Sequence, residues 1–126
     1  MPEWSPRFPA RRLGEYAPIP NASGVYVIFA RRGGRALYVG ESHTGRMRRT
    51  ALRHFSSWIS DWTHPQPRQV YKPEACDLAW QLVAGGPRAV KAAERAAMLR
   101  FEPRDNYLVP RELLEEPEEV DDVAPF

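Results

Sequence analysis

Residues 24–42, GVYVIFARRGGRALYVGES, constrain the fold more than any other part of the chain. They contain two short apolar runs, Gly24–Phe29 and Ala36–Gly40, separated by a basic turn that includes Gly33 and Gly34. Alternating β-branched and aromatic residues are typical of strands that lie half-buried in a sheet. Glycine readily adopts the positive φ angles of a tight hairpin turn. The stretch therefore predicts a β-hairpin.

Beyond the hairpin, the sequence predicts one further strand and two helices. Residues 77–83 alternate large apolar and other side chains, which is typical of a strand. Residues 41–45 are predicted to form a loop. Residues 46–60 have an apolar stripe at helical spacing, with Ser42 or Thr44 as a candidate cap. Residues 87–101 are rich in alanine and other strong helix formers. The stripe of the first helix consists of Met47, Ala51, Phe55 and Trp58.

Length and composition indicate a single domain without disulfides. The 126 residues include one cysteine, Cys76, so no internal disulfide or cysteine-cluster metal site is possible, and a reducing cytoplasm fits best. No apolar run approaches the roughly 18 residues of a membrane span, and we expect no membrane partner. We expect residues 1–23 to form an irregular arm, 24–110 the domain, and 111–126 an acidic tail, with a loop at 61–76.

The charge is distributed unevenly along the chain. The net charge is +2, but residues 111–126 hold seven acids and one base, which leaves 17 bases and nine acids, a net +8, in residues 1–110. Such a basic body favours a polyanionic partner, most commonly nucleic acid, although a solvated surface without a partner is the alternative. We further hypothesise that the acidic tail competes with DNA for the basic surface.

Glu94 is the most informative single residue. It falls within the apolar stripe of the second predicted helix rather than on the opposite face. Burying a carboxylate costs several kcal/mol unless a cation or hydrogen bonds compensate. A bound metal ion and a salt bridge to a buried arginine are the two alternatives at this point. The stripe consists of Val90, Ala97, Met98 and Phe101.

Five elements of the chain, in order, resemble the GIY-YIG nuclease superfamily. They are Gly24-Val25-Tyr26, Tyr38-Val39-Gly40, a run of arginines at 46–53, Glu94, and Asn106 in Pro103-Arg104-Asp105-Asn106, which resembles the Pro-x-x-Asn closing motif of the family. The resemblance covers about residues 20–107. It implies an α+β fold, with a small three-stranded antiparallel sheet flanked by the helices at 46–60 and 87–101.

The resemblance also implies hydrolysis of DNA phosphodiester bonds with a single divalent cation. Glu94 would hold Mg²⁺ or Mn²⁺, and Tyr26 would act as the general base that deprotonates the attacking water. A free phenol has a pKa of about 10, so Tyr26 would need nearby cations that lower its pKa. Tyr38 would position the phosphate or the water, and Asn106 would orient groups at the site.

The catalytic arginine is ambiguous. In the relatives that the chain resembles, this arginine commonly lies about four residues before a histidine or aromatic residue, and counting back from His54 gives Thr50. Arg46, one turn earlier, is our first choice, while Arg48 and Arg53 are the alternatives. His54 itself is a candidate catalytic residue, as a supporting donor or base. The expected substrate-binding residues are Gly40, Ser42, His43, Arg48, Arg49 and Arg53.

Three functions remain open at the level of sequence. The first is a metal-dependent endonuclease that acts on DNA, with branched or nicked DNA among the candidate substrates. The second is a non-catalytic nucleic-acid-binding module that retains the fold. The third is a protein-interaction module that uses the acidic tail. Because no separate DNA-reading domain is visible, a protein partner that supplies sequence specificity is one of the expectations.

Overall fold

The computed structural model describes residues 3–12, 19–55 and 71–106. These residues form an α+β arrangement with a four-stranded antiparallel sheet of order β1-β4-β2-β3 and two α-helices. The strands are β1 (Phe8–Pro9), β2 (Gly24–Ala30), β3 (Ala36–Ser42) and β4 (Cys76–Leu82), and the helices are α1 (Met47–Leu52) and α2 (Gly86–Phe101). Short 3₁₀ helices cover Ala10–Arg12, Arg53–Phe55 and Pro73–Ala75.

The predicted hairpin is confirmed. β2 and β3 pair antiparallel, with Tyr26 opposite Gly40, and the turn between them places Gly33 and Gly34 at φ angles of 83° and 73°. Only glycine adopts such angles without strain. β3 continues to Ser42, so Glu41 and Ser42 belong to the strand and not to the predicted loop. The backbone of Glu41 thereby lies in the last part of β3.

The prediction of three strands is wrong by one. The arm that we expected to be irregular contributes β1, which pairs with β4 through Phe8 opposite Leu78 and Pro9 opposite Asp77. A two-residue strand is too short to show an alternating pattern in the sequence. Proline is tolerated there because β1 lies at the edge of the sheet, where one side of the strand needs no hydrogen-bond donor.

Each face of the sheet packs against one helix. Successive side chains of a strand point to opposite faces, and central strand β2 is buried on both. Tyr26 and Ile28 belong to a core cluster with Met47 and Ala51 of α1, whereas the alternate residues of β2 belong to a second cluster with α2. The second cluster consists of Val25, Val27, Phe29, Ala36, Val39, Ala79, Val90, Ala97 and Met98.

The α-helix observed in the first predicted helical segment, residues 46–60, is shorter than the periodicity predicts. The α-helix ends at Leu52 and continues as the 3₁₀ turn Arg53–Phe55, while residues 56–60, including Trp58, lie outside the described residues. Arg46 precedes the helix, and its backbone N–H donates to Oγ of Ser42 at 3.0 Å. Helix α2 agrees closely with the predicted residues 87–101.

The predictions for residues 13–18, for most of the loop at 61–76 and for the acidic tail lie outside the described residues. The described part of the loop contains the 3₁₀ turn Pro73–Ala75 and the first residue of β4. Among the described residues, none of the helices has the length and apolar character needed to cross a membrane.

The segment after α2 runs along the edge of β3, and contacts of Asp105 hold it there. The backbone N–H groups of Arg104 and Asp105 donate to the carbonyl oxygens of Ala36 and Leu37 at 3.1 and 2.8 Å. The hydroxyl of Tyr71 donates to Oδ2 of Asp105 at 2.6 Å, and the guanidinium of Arg104 donates to both carboxylate oxygens. Tyr71, Arg104 and Asp105, here called the Asp105 cluster, thus join the residues before β4 and after α2 to strand β3 of the hairpin.

The contacts of the Asp105 cluster predict a loss of stability at acid pH. Burial, the largest single influence, raises the pKa of Asp105, but the hydrogen bonds from Arg104 and Tyr71 and the charges of Arg104 and Arg35 outweigh it and lower the pKa below 3.8. A carboxyl group with a lowered folded-state pKa stabilises the fold above its unfolded pKa and loses this contribution as the pH falls through the folded value. Urea titrations at decreasing pH should therefore show a steeper loss below about pH 4 in the wild type than in Asp105→Asn.

The variant Tyr71→Phe removes one of the two hydrogen-bonding partners and should give an intermediate dependence on pH. Equal slopes in all three proteins would show that Asp105 does not contribute to acid unfolding.

Candidate active site

The site is built around the path of the Tyr26 side chain. Tyr26 is only 1% exposed, and its ring lies across Gly40, the residue opposite it in β3. A methyl group at Gly40 would overlap Cζ and the hydroxyl oxygen of Tyr26. Gly40 therefore has a structural role, because the absence of a side chain leaves space for the phenol of Tyr26. The sequence instead predicted that Gly40 binds substrate.

The hydroxyl of Tyr26 forms a hydrogen bond with the imidazole of His54. The distance from this oxygen to Nε2 of His54 is 2.9 Å, and the histidine is 8% exposed. The ring of Tyr38 lies 4.5 Å from that of His54 and 6.4 Å from that of Tyr26, measured between centroids. The carbonyl oxygen of His54 accepts a hydrogen bond from the N–H of Tyr71 at 2.7 Å. The structure thus brings Tyr26, Tyr38 and His54 together, as expected from the sequence.

The surroundings keep the phenol of Tyr26 protonated. Burial raises its pKa well above 10, and electrostatic interactions with Tyr38, Glu94 and Glu41 raise it further, while the positive charge of Arg53 lowers it. The expected lowering of this pKa by cations is therefore outweighed in the protein alone. A neutral phenol beside an imidazole can donate its proton to that imidazole, provided that Nε2 is unprotonated.

Glu94 lies close enough to Tyr26 for its charge to affect the pKa of the phenol. It is half-buried on α2, between buried Val90 and buried Ala97, in agreement with its predicted place on the apolar face. The described residues include no group of three or more histidine, cysteine, aspartate or glutamate side chains that could hold a metal ion. Mg²⁺ keeps several waters and commonly uses only one or two carboxylates, so a single glutamate is compatible with this ion.

Asn106 has a well-defined structural role. It is 3% exposed; its Oδ1 accepts the N–H of Val39 at 2.7 Å, and its Nδ2 donates to the carbonyl oxygen of Val39 at 3.0 Å. The amide thus occupies the edge of β3 as another strand would. Because Val39 lies between Tyr38 and Gly40, this pair of bonds holds in place the strand that carries the site.

The arginines differ in their relation to the cluster. The positive charge of Arg53 lowers the pKa of Tyr26, as the smallest of the five main influences on this phenol. Arg46 and Arg49 are exposed near the start of α1, where the N–H of Arg49 donates to Oδ1 of Asn21 at 3.3 Å, and Arg48 is half-buried. Among the three candidates for the catalytic arginine, this charge effect on Tyr26 favours Arg53, which lies in the 3₁₀ turn after α1.

One charged group at the site was missed by the sequence analysis. Glu41, at the end of β3, contacts Nδ1 of His43 at 3.1 Å and Nζ of Lys91 at 3.2 Å. His43 was expected to bind substrate, but its carboxylate partner was assigned to a loop. The available signal was a lone acidic residue directly after Tyr38-Val39-Gly40. Ser42, also expected to bind substrate, is buried and accepts the N–H of Arg46.

Comparison of the chain with protein-family models, curated proteins and solved structures finds no match. The resemblance to GIY-YIG nucleases therefore rests on the sequence motifs alone.

The passage of Tyr26 over Gly40 predicts a strong coupling between the two positions. Gly40→Ala should destabilise the fold by about 1–3 kcal/mol, the usual cost of overpacking, because the methyl group must displace the phenol. In a Tyr26→Ala background the same substitution should cost clearly less, since the overlapping atoms are gone. A double-mutant cycle from urea unfolding measures this coupling, and additive effects would contradict the proposed passage.

The two bonds of Asn106 predict a second effect on stability. Asn106→Ala should lower the free energy of unfolding by about 1–3 kcal/mol, because the buried N–H and carbonyl groups of Val39 lose their partners. Asn21→Ala is the matched control, since exposed Asn21 also accepts a backbone N–H and should cost about 0.5 kcal/mol or less. Similar losses in both variants would show that Asn106 does not stabilise β3 in particular.

Proposed function

We propose that this protein is a metal-dependent endonuclease that hydrolyses DNA phosphodiester bonds in the cytoplasm. The observation that carries the proposal is the hydrogen bond between the Tyr26 hydroxyl and Nε2 of His54, together with the electrostatic effect of Glu94 on the same phenol. These residues come from a strand, a 3₁₀ turn and a helix that are far apart in the sequence. A structural core requires no such combination of a phenol, an imidazole and a carboxylate.

The proposed base is Tyr26 acting together with His54. Because burial keeps the phenol protonated, Tyr26 alone is a poor base near neutral pH. When the hydroxyl accepts a proton from the attacking water, it passes its own proton to Nε2 of His54, 2.9 Å away. The pair thereby removes a proton from water without forming an isolated phenolate in the protein interior.

Arg53 and Tyr38 are proposed to act on the phosphate. Arg53 brings a positive charge whose effect reaches Tyr26, so it is suited to neutralise the charge that builds up on the phosphorus oxygens. Tyr38 is only half-buried and lies beside His54, where its hydroxyl can donate to a phosphate oxygen or to the water. Asn106 acts indirectly, by positioning β3.

The proposed ligand of the cation is Glu94. A Mg²⁺ or Mn²⁺ ion at this carboxylate would polarise a phosphate oxygen and stabilise the developing negative charge. Glu94 is half-buried, and its charge and that of Glu41 both act on the phenol of Tyr26. The proposed DNA partner is supported by the net +8 of residues 1–110, and branched or nicked DNA is included among the substrates to be tested.

The proposal is tested by cleavage of supercoiled plasmid and of branched DNA with Mg²⁺ or Mn²⁺. Glu94→Gln keeps the shape of the side chain but removes the charge that would hold the cation, so the cleavage rate should fall by more than about 100-fold. Glu74→Gln is the matched control, because Glu74 is exposed on the 3₁₀ turn Pro73–Ala75, and this variant should cut like the wild type. Equal rates for Glu94→Gln and the wild type would contradict the role of Glu94.

A second candidate function is a non-catalytic DNA-binding module. It is favoured by Thr50, which stands where the family spacing places the catalytic arginine. Fluorescence anisotropy with labelled duplex and branched DNA distinguishes the two candidates. Binding by the wild type, without cleavage of any substrate in either metal, would support the module and overturn the endonuclease.

A further inference from the structure

Glu41 is held by two cationic or potentially cationic partners at the end of β3. Its Oε1 lies 3.1 Å from Nδ1 of His43, and its Oε2 lies 3.2 Å from Nζ of Lys91 on α2. The side chain of Glu41 is only 12% exposed, so the surrounding protein screens these contacts less than water would. Each carboxylate oxygen thus has its own partner, and the orientation of the carboxylate is fixed.

This arrangement determines how the imidazole of His43 is presented. An Nδ1–H that donates to a carboxylate fixes the ring orientation and leaves Nε2 as the nitrogen that can exchange a proton. Within the described part of the chain, Nε2 of His43 has no hydrogen-bond partner. The side chain of His43 is 31% exposed, in contrast to buried His54, so a substrate can reach it.

The pair lies on the α2 side of the sheet, the side to which Lys91 and Glu94 belong, while Tyr26 packs on the α1 side. Glu41 directly follows Gly40, over which the Tyr26 ring passes, and its charge is among those that raise the pKa of Tyr26. Lys91, which holds the second oxygen of Glu41, precedes Glu94 by three residues on α2 and so lies one turn away on a neighbouring part of the helix surface. The contact between Glu41 and Lys91 therefore fixes α2 and the end of β3 relative to one another near the site.

We propose that Glu41 and His43 form a carboxylate–histidine dyad that delivers a proton to the leaving group, an inference that rests on the proposed endonuclease function. The oxygen of the attacking water forms a bond to phosphorus, and its proton goes to Tyr26 while Tyr26 gives its own proton to His54. The bond from phosphorus to the leaving deoxyribose oxygen breaks, and its electron pair remains on that oxygen. The Nε2 proton of the His43 imidazolium moves to this oxygen, and solvent then restores the proton on His43 and accepts the proton from His54.

The reaction needs both transfers because water must lose a proton and a deoxyribose alkoxide is a poor leaving group. A positioned general acid or base typically contributes about 10²–10⁴-fold. The two histidines differ in the way that these roles require. His54 is buried behind Tyr26, while His43 is exposed and held through Nδ1 by a carboxylate. Glu41 is a positioning residue in this scheme, and His43 is the catalytic residue.

The test compares oxygen and sulfur as the leaving atom. The DNA product that carries the phosphate identifies the leaving oxygen, and a second substrate contains sulfur in place of this oxygen at the cleaved position. A thiolate leaves without protonation, so loss of a general acid is harmless with sulfur. We expect His43→Ala to cut the oxygen substrate about 100-fold more slowly than the wild type and the sulfur substrate within a few-fold of the wild type.

Glu41→Gln is the second variant and should show a smaller loss with the same recovery on sulfur, because His43 remains but is held less well. Thermal unfolding of both variants confirms that they are folded. Equal losses on the two substrates would indicate a structural role and overturn the dyad, as would an unchanged rate of His43→Ala on the oxygen substrate. If the wild type cuts neither substrate, the endonuclease proposal itself is overturned, which distinguishes its failure from that of the dyad.

Discussion

The hydrogen bond between the Tyr26 hydroxyl and His54 joins the central strand to the turn that follows α1. A phenol on the central strand is buried, and a buried hydroxyl without a partner would cost free energy. Nε2 of His54 satisfies it, and this contact fixes the 3₁₀ turn Arg53–Phe55 that continues α1. The absence of a side chain at Gly40 lets the phenol reach that turn. One strand, its neighbour and the first helix are thus joined at a single polar contact.

The edge of β3 shows how the fold leaves room for a site. An exposed edge strand offers unpaired backbone groups and invites association with other chains. Here the segment after α2 contacts that edge, with Arg104, Asp105 and Asn106 bonding to backbone groups between Ala36 and Val39. These contacts end one residue before Gly40, where the proposed site begins. The same segment therefore stabilises the strand and defines one limit of the site.

The sequence predicted those parts of the fold that depend on local patterns. Hairpin glycines and a run of helix formers act over a few residues, so the hairpin and the helix at 87–101 were predicted closely. Strand β1 was missed because its pairing with β4 spans about 70 residues and only two positions. The choice among arginines depended on where α1 changes to a 3₁₀ turn, and the role of Glu41 depended on Lys91, fifty residues later. Spacing alone does not determine either.

The charges around Tyr26 connect its protonation to the proposed cation. Glu94 and Glu41 raise the pKa of the phenol, so each carboxylate opposes a negative charge on Tyr26. A divalent cation bound at Glu94 would act in the opposite direction, lowering this pKa. Linkage is reciprocal, so any transfer of negative charge to Tyr26 must strengthen cation binding by the same free energy. The raised pKa of Tyr26 in the protein without substrate or cation is therefore compatible with a base that acts only when both are present. In that reaction His54 accepts the proton of the Tyr26 hydroxyl.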